Sequence, residues 1–391
     1  MTAAVASVVI GIASLALVYA AAALASLLMW QRRPSTGAAC MPPVTVLKPL
    51  CGAEPELYEN LRSFCDQRYP EFEVIFGVRN RDDPAVSVVE RLRRELPDRN
   101  LKLVVDERLA GVNYKVSNLS NMLVHARYDC LAVSDSDIRV GPDYLARVMG
   151  ELSDPEVGVV TCLYRARPHR TLWSYLGALF IDAWFLPSVL VGRAMGFGSF
   201  CFGASMALRR GVLEQIGGFE SLAWQLADDY ELGARARAKG LRVVLSSYLV
   251  ETTVDEPDLD SLLHHELRWA RTIRTVQPIG HAFSFLTYAI PLSCLAALTV
   301  WGSRWALVPP ALAMTLRAAL YLAVNKDRLA AALLSVPLLP LRGFLSLFIW
   351  AASFRSRRIR WRHQQLCVQP NGQLSHCNSV PPLDRQWRHS E

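Results

Sequence analysis

The sequence predicts an α/β protein, a mostly parallel sheet covered by helices and flanked by transmembrane helices. Three observations predict it. Short β-branched runs alternate with amphipathic stretches through residues 44–280, as in strand–helix repeats. Residues 3–30 carry no charge at all, and beyond residue 281 the chain turns strongly apolar again.

The first element is the uncharged run. At about 1.5 Å rise per residue it is long enough to cross a bilayer core of roughly 30 Å. A cleaved signal peptide would open with positive charge and carry a shorter apolar core. Met1-Thr2-Ala3-Ala4 has no such charge, so residues 1–31 are expected to remain as an anchor. Arg32 and Arg33 follow directly, which puts the next residues in the cytoplasm and the N-terminus outside.

Strands are expected at VTVL (44–47), FEVIFGV (72–78), LKLVV (101–105), CLAVS (130–134) and VGVV (157–160). Helices are expected around 55–66, 84–95, 115–126 and 143–152. Residues 40–280 therefore read as one cytoplasmic α/β domain, with ligands bound beyond the carboxyl ends of its strands. Residues 281–354 form the second membrane region. There 282–301 and 305–324 read as two spans joined by Gly302-Ser303-Arg304. Pro337, Pro340 and Arg342 interrupt 329–354, which is expected as a re-entrant or interfacial pair of short helices. A straight span there would carry RSRRIRWR (355–362) across the membrane. The basic tail 355–391 belongs instead in the cytoplasm, against anionic headgroups.

Nine cysteines, an odd number without CxxC pairs, point to reduced thiols and no disulfides. The net charge of +7 gathers into no basic tract before the C-terminal tail. A membrane surface and an anionic substrate explain it better than nucleic acid. Neither a GxGxxG fingerprint nor a Walker motif is present, so a phosphate-bearing ligand would need a metal and side-chain cations.

Three constellations carry chemistry. In LAVSDSDIRV (131–140), Asp135 and Asp137 leave a buried strand one residue apart. They suit a hard divalent cation, although a solvated turn would also hold two aspartates. In QLADDYELG (225–233), Asp228 and Asp229 open an amphipathic helix. Capping accounts for one of them, and the other is placed to act as a general base. In LLHHELRWARTIR (262–274), His265, Arg268 and Trp269 share one helical face. That face could bind a diphosphate beside an aromatic wall, or lie at the membrane surface.

Taken in order, these segments resemble the ceramide glucosyltransferase family. The resemblance runs through VTVLKPLCG (44–52), VRNRDDPA (78–85), GVNYKVSNL (111–119), SDSDIRVGPDYL (134–145), FGASMALRR (202–210), LADDYELG (226–233) and HELRW (265–269). VTCLYRARP, FGASMALRR and HELRWARTIR look most like the bacterial branch of hopanoid biosynthesis, in which N-acetylglucosamine is joined to a polyhydroxylated hopanoid. The resemblance implies an inverting, metal-dependent glycosyltransferase of GT-A fold at the bacterial inner membrane. It implies that Asp83 contacts the nucleotide, that Asp135 with Asp137 holds Mg²⁺ or Mn²⁺, and that Asp229 is the catalytic base. Arg268 and Trp269 match the family's closing motif, and Lys48 and Lys115 are expected donor contacts. Asp228 and His265 are supporting candidates, although His265 stands where the family usually has Gln or Arg.

The donor is then expected to be UDP-N-acetylglucosamine and the acceptor a hopanoid of the bacteriohopanetetrol type. Ceramide with UDP-glucose is the alternative pair. A processive polysaccharide synthase would need more membrane spans for a channel. A non-catalytic nucleotide-sugar binder would have no use for every acidic site and Arg268-Trp269 together.

Overall fold

The computed structural model describes residues 3–33, 41–197, 200–356, 358–361, 364–369 and 372–376. Much of the expected basic tail, including residues 377–391, lies outside the described residues. Eight strands form one mixed sheet, and four of its seven pairings are parallel. They are β1 (Val44–Pro49), β2 (Phe72–Val78), β3 (Leu101–Val105), β4 (Cys130–Ser134), β5 (Ile138–Arg139), β6 (Val157–Pro168), β7 (Ser205–Arg209) and β8 (Arg242–Val254). Their order is β3-β2-β1-β4-β7-β6-β8-β5.

Central strands of a sheet covered on both faces read as continuous apolar runs, and all six residues of β1 are buried. Leu57–Cys65, Ala85–Glu95 and Tyr144–Leu152 pack on one face through Phe64, Val89 and Tyr144. Tyr114–Leu123 and Asp228–Ala238 cover the other through Leu119, Met122 and Leu232. The five predicted strands are all present, and β6 continues eight residues past its predicted end at residue 160. Strands β5, β7 and β8 are the three that the sequence reading leaves out.

The apolar helices differ more. Ala3–Gln31 is one helix. A second apolar element, outside the prediction, lies inside the α/β region. Leu172–Phe180, a π turn at Ile181–Phe185 and Leu186–Ala194 make a segment of 23 residues, long and apolar enough to cross a membrane. Two thirds of its apolar window is buried within the protein. Leu176, Leu179 and Trp184 pack with Ala16 and Ala20 of the N-terminal helix and with Ala313 and Leu339.

After residue 281 the helices are less regular than the expected spans. The first span is bent by 59° where Pro278–Thr287 meets Ala289–Thr299, and the next helix, Val308–Val324, has 17 residues. The 329–354 segment is part of one helical run, Lys326–Ser353, of a length and apolarity that could cross a membrane. Pro337 stands in a single 3₁₀ turn at Val336–Leu338, where a tightened turn accommodates the missing donor. Pro340 stands in the first turn of Leu339–Ser353, where a backbone N–H has no helical partner to lose.

Six described cysteines are free thiols. Cys367 is disulfide-bonded, against the expectation of none. It lies in β10 (Gln364–Val368), between β9 (Arg358–Trp361) and β11 (Leu374–His376). In this small sheet Cys367 stands across from Arg358 on one side and Ser375 on the other.

Candidate active site

A cleft of about 930 Å³ opens beyond the carboxyl ends of β1, β2 and β4. Asp83, Lys115, Asp135, Asp137, Asp228, Asp229, His265, Arg268 and Trp269 all line it. Nine of the ten predicted site residues therefore meet in one place. The tenth, Lys48, lies beneath it. Its side chain is fully buried over the Phe64 ring, with the ammonium bonded to the Asp135 carbonyl and 3.5 Å from Ser134 Oγ. Burial draws the Lys48 ammonium down to about 7, against Asp137 and Asp135. It braces the end of β4 from below and does not line the cleft, because a lysine inside a fully buried strand has only the floor to reach.

Asp83 follows β2 and ties two loops together. Its carboxylate accepts the N–H groups of Gly52, at 2.9 and 3.1 Å, and of Ala85, at 2.9 Å.

Asp135 and Asp137 differ in setting. The Asp135 carboxylate is one-third exposed and pairs with Lys115 Nζ at 2.5 Å. Asp137 accepts the Thr252 hydroxyl at 2.6 Å. Burial, reinforced by Asp135 and Glu54, pushes its carboxyl up to about 6. Crowded carboxylates of this kind favour a cation. Two carboxylates fit a divalent ion that draws its other oxygen ligands from a diphosphate and water. Among the described residues no cluster of three or more His, Cys, Asp or Glu completes such a site from protein alone.

Asp228 and Asp229 begin the helix that covers the far face of the sheet. Capping is not their role, because Ala227 is the N-cap residue and no side chain caps there. The Asp228 carboxylate accepts from Asn113 Nδ2 at 3.2 Å, and Asn113 itself caps the helix Tyr114–Leu123. Asp229 is held by two backbone donors, Gly203 N at 2.6 Å and Tyr230 N at 2.8 Å. A Cβ at Gly203 would stand 3.2 Å from Asp229 Oδ2 and 3.1 Å from Lys115 Nζ, close enough to push one of them back by a few tenths of an ångström. Burial, then the adjacent Asp228, pushes the Asp229 carboxyl up to about 6, against the pull of Lys115. Burial works against the charge of Lys115, yet Asp135, Asp228 and Asp229 outweigh it and hold its ammonium above the usual lysine range.

The third wall is the helix Leu259–Val276. The ring of Trp269 meets His265 edge-on at 4.4 Å and lies 6.3 Å from Phe180. Arg268 and Trp269 both line the cleft, on the same face of the helix as His265. Glu266, one residue beyond His265, makes a buried two-bond pair with Arg342, 2.6 Å at each oxygen. Arg342, which interrupts an apolar segment in sequence, thus locks the site helix to Lys326–Ser353. The sequence reading misses this pair and also Glu256, which lines the cleft and bonds His265 at 2.6 Å. Their only sequence signals are an arginine inside an apolar run and an acid shortly before a helix.

A family model described as glycosyl transferase family 21 matches residues 8–374. Ceramide glucosyltransferase 3 of Caenorhabditis elegans is 28% identical over 274 residues, covering 66% of this chain and 58% of the relative. Ceramide glucosyltransferase 1 of the same organism is 28% identical over 210 residues, 53% of this chain and 45% of the relative. The chain thus spans about half the length of the curated relatives it matches. Among solved structures, a mannosyltransferase from Pyrobaculum calidifontis in complex with GDP-Man and Mn2+ is 22% identical. The similarity covers 84% of this chain and 99% of that one, with a TM-score of 0.49.

Proposed function

The chain belongs to glycosyl transferase family 21, and on that premise we propose that it is a membrane-bound enzyme moving one sugar from a UDP-sugar to a lipid hydroxyl. The observation that carries the reading is the setting of Asp229. A carboxylate oriented by two backbone donors, with its proton affinity raised by burial, shares one cleft with Asp135, Asp137 and Arg268. A general base works best with a pKa near the working pH.

The proposed reaction is a single displacement with inversion. Asp229 takes the proton of the acceptor hydroxyl as its oxygen attacks the anomeric carbon. The carbon passes through an oxocarbenium-like state, and its bond to the UDP oxygen breaks. Arg268 and Lys115 place positive charge where the leaving diphosphate gains negative charge. Mg²⁺ or Mn²⁺, held by Asp135 and Asp137, would supply Lewis-acid stabilisation of the same leaving group. Asp83 keeps the nucleotide side of the cleft in shape, and Trp269 forms its aromatic wall.

The finer reading names UDP-N-acetylglucosamine and a hopanoid of the bacteriohopanetetrol type, with the domain facing the cytoplasm of a bacterial inner membrane. It rests on the VTCLYRARP, FGASMALRR and HELRWARTIR segments. The ceramide glucosyltransferases among the relatives support a second pair, UDP-glucose and ceramide. Asp229→Asn tests the chemistry common to both. Transfer should fall at least a thousandfold while UDP-sugar binding stays within about threefold, a loss of roughly 4 kcal/mol in the transition state alone. Normal turnover in that variant would remove Asp229 as the base.

A further inference from the structure

We propose that Glu256 and His265 form the polar subsite that receives the hydroxyl-bearing head of the acceptor. The proposal rests on the reading of the cleft as a lipid glycosyltransferase site, and it assigns a role that the donor chemistry leaves unused.

The dyad is built and fixed. Glu256 follows β8, and its side chain is 7% exposed. Its main chain is clamped to the start of the apolar helix at Leu172. Ser174 Oγ accepts the Glu256 N–H at 2.9 Å, and Thr171 Oγ1 donates to the Glu256 carbonyl at 2.6 Å. Glu256 Oε1 then takes the Nδ1–H of His265 at 2.6 Å. A carboxylate accepts here, which places a proton on Nδ1, and in the neutral imidazole Nε2 is then the acceptor. The edge-on Trp269 ring holds the imidazole from the side. The His265 side chain keeps 38% of its surface open, and His265 is part of the cleft lining.

The surroundings of the dyad define its ligand. Gly177 and Ile181 of the apolar helix line the cleft with Val254 and Leu262. A Cβ on Gly177 would stand 3.0 Å from Val254 Cγ1, 3.3 Å from Leu262 Cδ1 and 3.8 Å from Glu256 Cγ. A polar pair with an open acceptor nitrogen thus adjoins a close-packed apolar wall, and Asp229 faces the same cleft. That juxtaposition fits an alcohol with a bulky apolar body and at least two polar groups on its head. One hydroxyl would be offered to Asp229 and a neighbouring O–H or N–H donated to His265 Nε2. Glu256 is a positioning residue, acting through the imidazole that it orients.

The test uses the full chain in lipid nanodiscs, with bacteriohopanetetrol and, separately, ceramide as acceptors. UDP release and transferred sugar are measured with and without acceptor. His265→Ala should raise the acceptor KM at least tenfold while the donor KM changes far less. His265→Gln, which keeps an acceptor oxygen near Nε2, should recover most of the loss. Glu256→Gln, which can still accept from Nδ1, should fall between the two. An unchanged acceptor KM in His265→Ala would overturn the subsite, as would a rise confined to the donor KM. A wild-type enzyme that transfers no sugar to either lipid would overturn the functional reading and the subsite with it.

Discussion

Replacing Arg342 with methionine keeps most of the side-chain bulk and removes the charge that answers Glu266. In the native protein the pair is sealed, at 0% and 5% side-chain exposure. Arg342 also donates to Ser346 Oγ at 3.0 and 2.9 Å and faces the Phe180 ring at 5.1 Å. Two charge-assisted hydrogen bonds of 2.6 Å are worth about 1.5–3 kcal/mol each, so their joint loss is about 3–6 kcal/mol. Stranding one member of a buried pair independently gives about 3–5 kcal/mol. Burial already pushes the Glu266 carboxyl above the usual range while Arg342 opposes it, so the stranded acid should take up a proton and soften the loss. A destabilisation of about 3 kcal/mol is therefore expected for Arg342→Met, read as a fall of several degrees in thermal unfolding followed by tryptophan fluorescence in detergent. Glu266→Gln with Arg342→Met removes the stranded charge and should recover more than half of the loss. A single variant that melts like wild type would refute the reasoning. So would a double variant no more stable than the single.

Further outcomes follow from the base. With Asp229 pushed up to about 6, kcat/KM should fall as pH drops through about 6, and Asp228→Asn should move that limb lower by removing a repelling charge; a flat pH–rate profile between 5 and 7 would count against the assignment. For folding the sign is reversed. The native state keeps this proton to higher pH than the unfolded chain, so its contribution to stability is full below the ordinary aspartate value of 3.8 and is lost as pH rises through about 6. Gly203→Ala should lower kcat roughly tenfold or more by shifting Asp229 a few tenths of an ångström. Thermal unfolding should stay nearly unchanged, since the new methyl meets side-chain atoms of Lys115 and Asp229 and no backbone atom among its three nearest neighbours; an unaltered kcat would show that this contact does not set the base.

What the sequence discloses is local. Strands β1 to β4 are short apolar runs with polar ends, and Asp83 and Asp135 stand just past two of those ends, so period and position suffice to find them. The gathering of Asp229, Arg268 and Trp269 is a product of the chain's winding and became legible through motif order. Lys48, expected at the donor from the resemblance alone, is buried with all six residues of β1, and its strand offers no pattern that separates a floor residue from a lining one. The segment 172–194 does not read as one apolar run in sequence, because Asp182 interrupts it. In the fold that carboxylate accepts the Ala166 N–H at 2.8 Å and Asn325 Nδ2 at 2.9 Å, partners 16 and 143 residues away along the chain. Glu266 and Arg342 are 76 residues apart, and no periodicity links such pairs.

Gly177 and Ile181 belong to two structures at once, the cleft wall and an apolar helix of membrane-spanning length. The proposed acceptor would therefore reach the enzyme by lateral diffusion within a sheet of lipid, and the donor by diffusion in three dimensions from water. Its effective concentration is a mole fraction of the surrounding bilayer, so adding inert lipid at constant acceptor dilutes the substrate without changing the volume of the assay. Under this geometry the membrane sets the supply of one reactant as well as holding the enzyme in place.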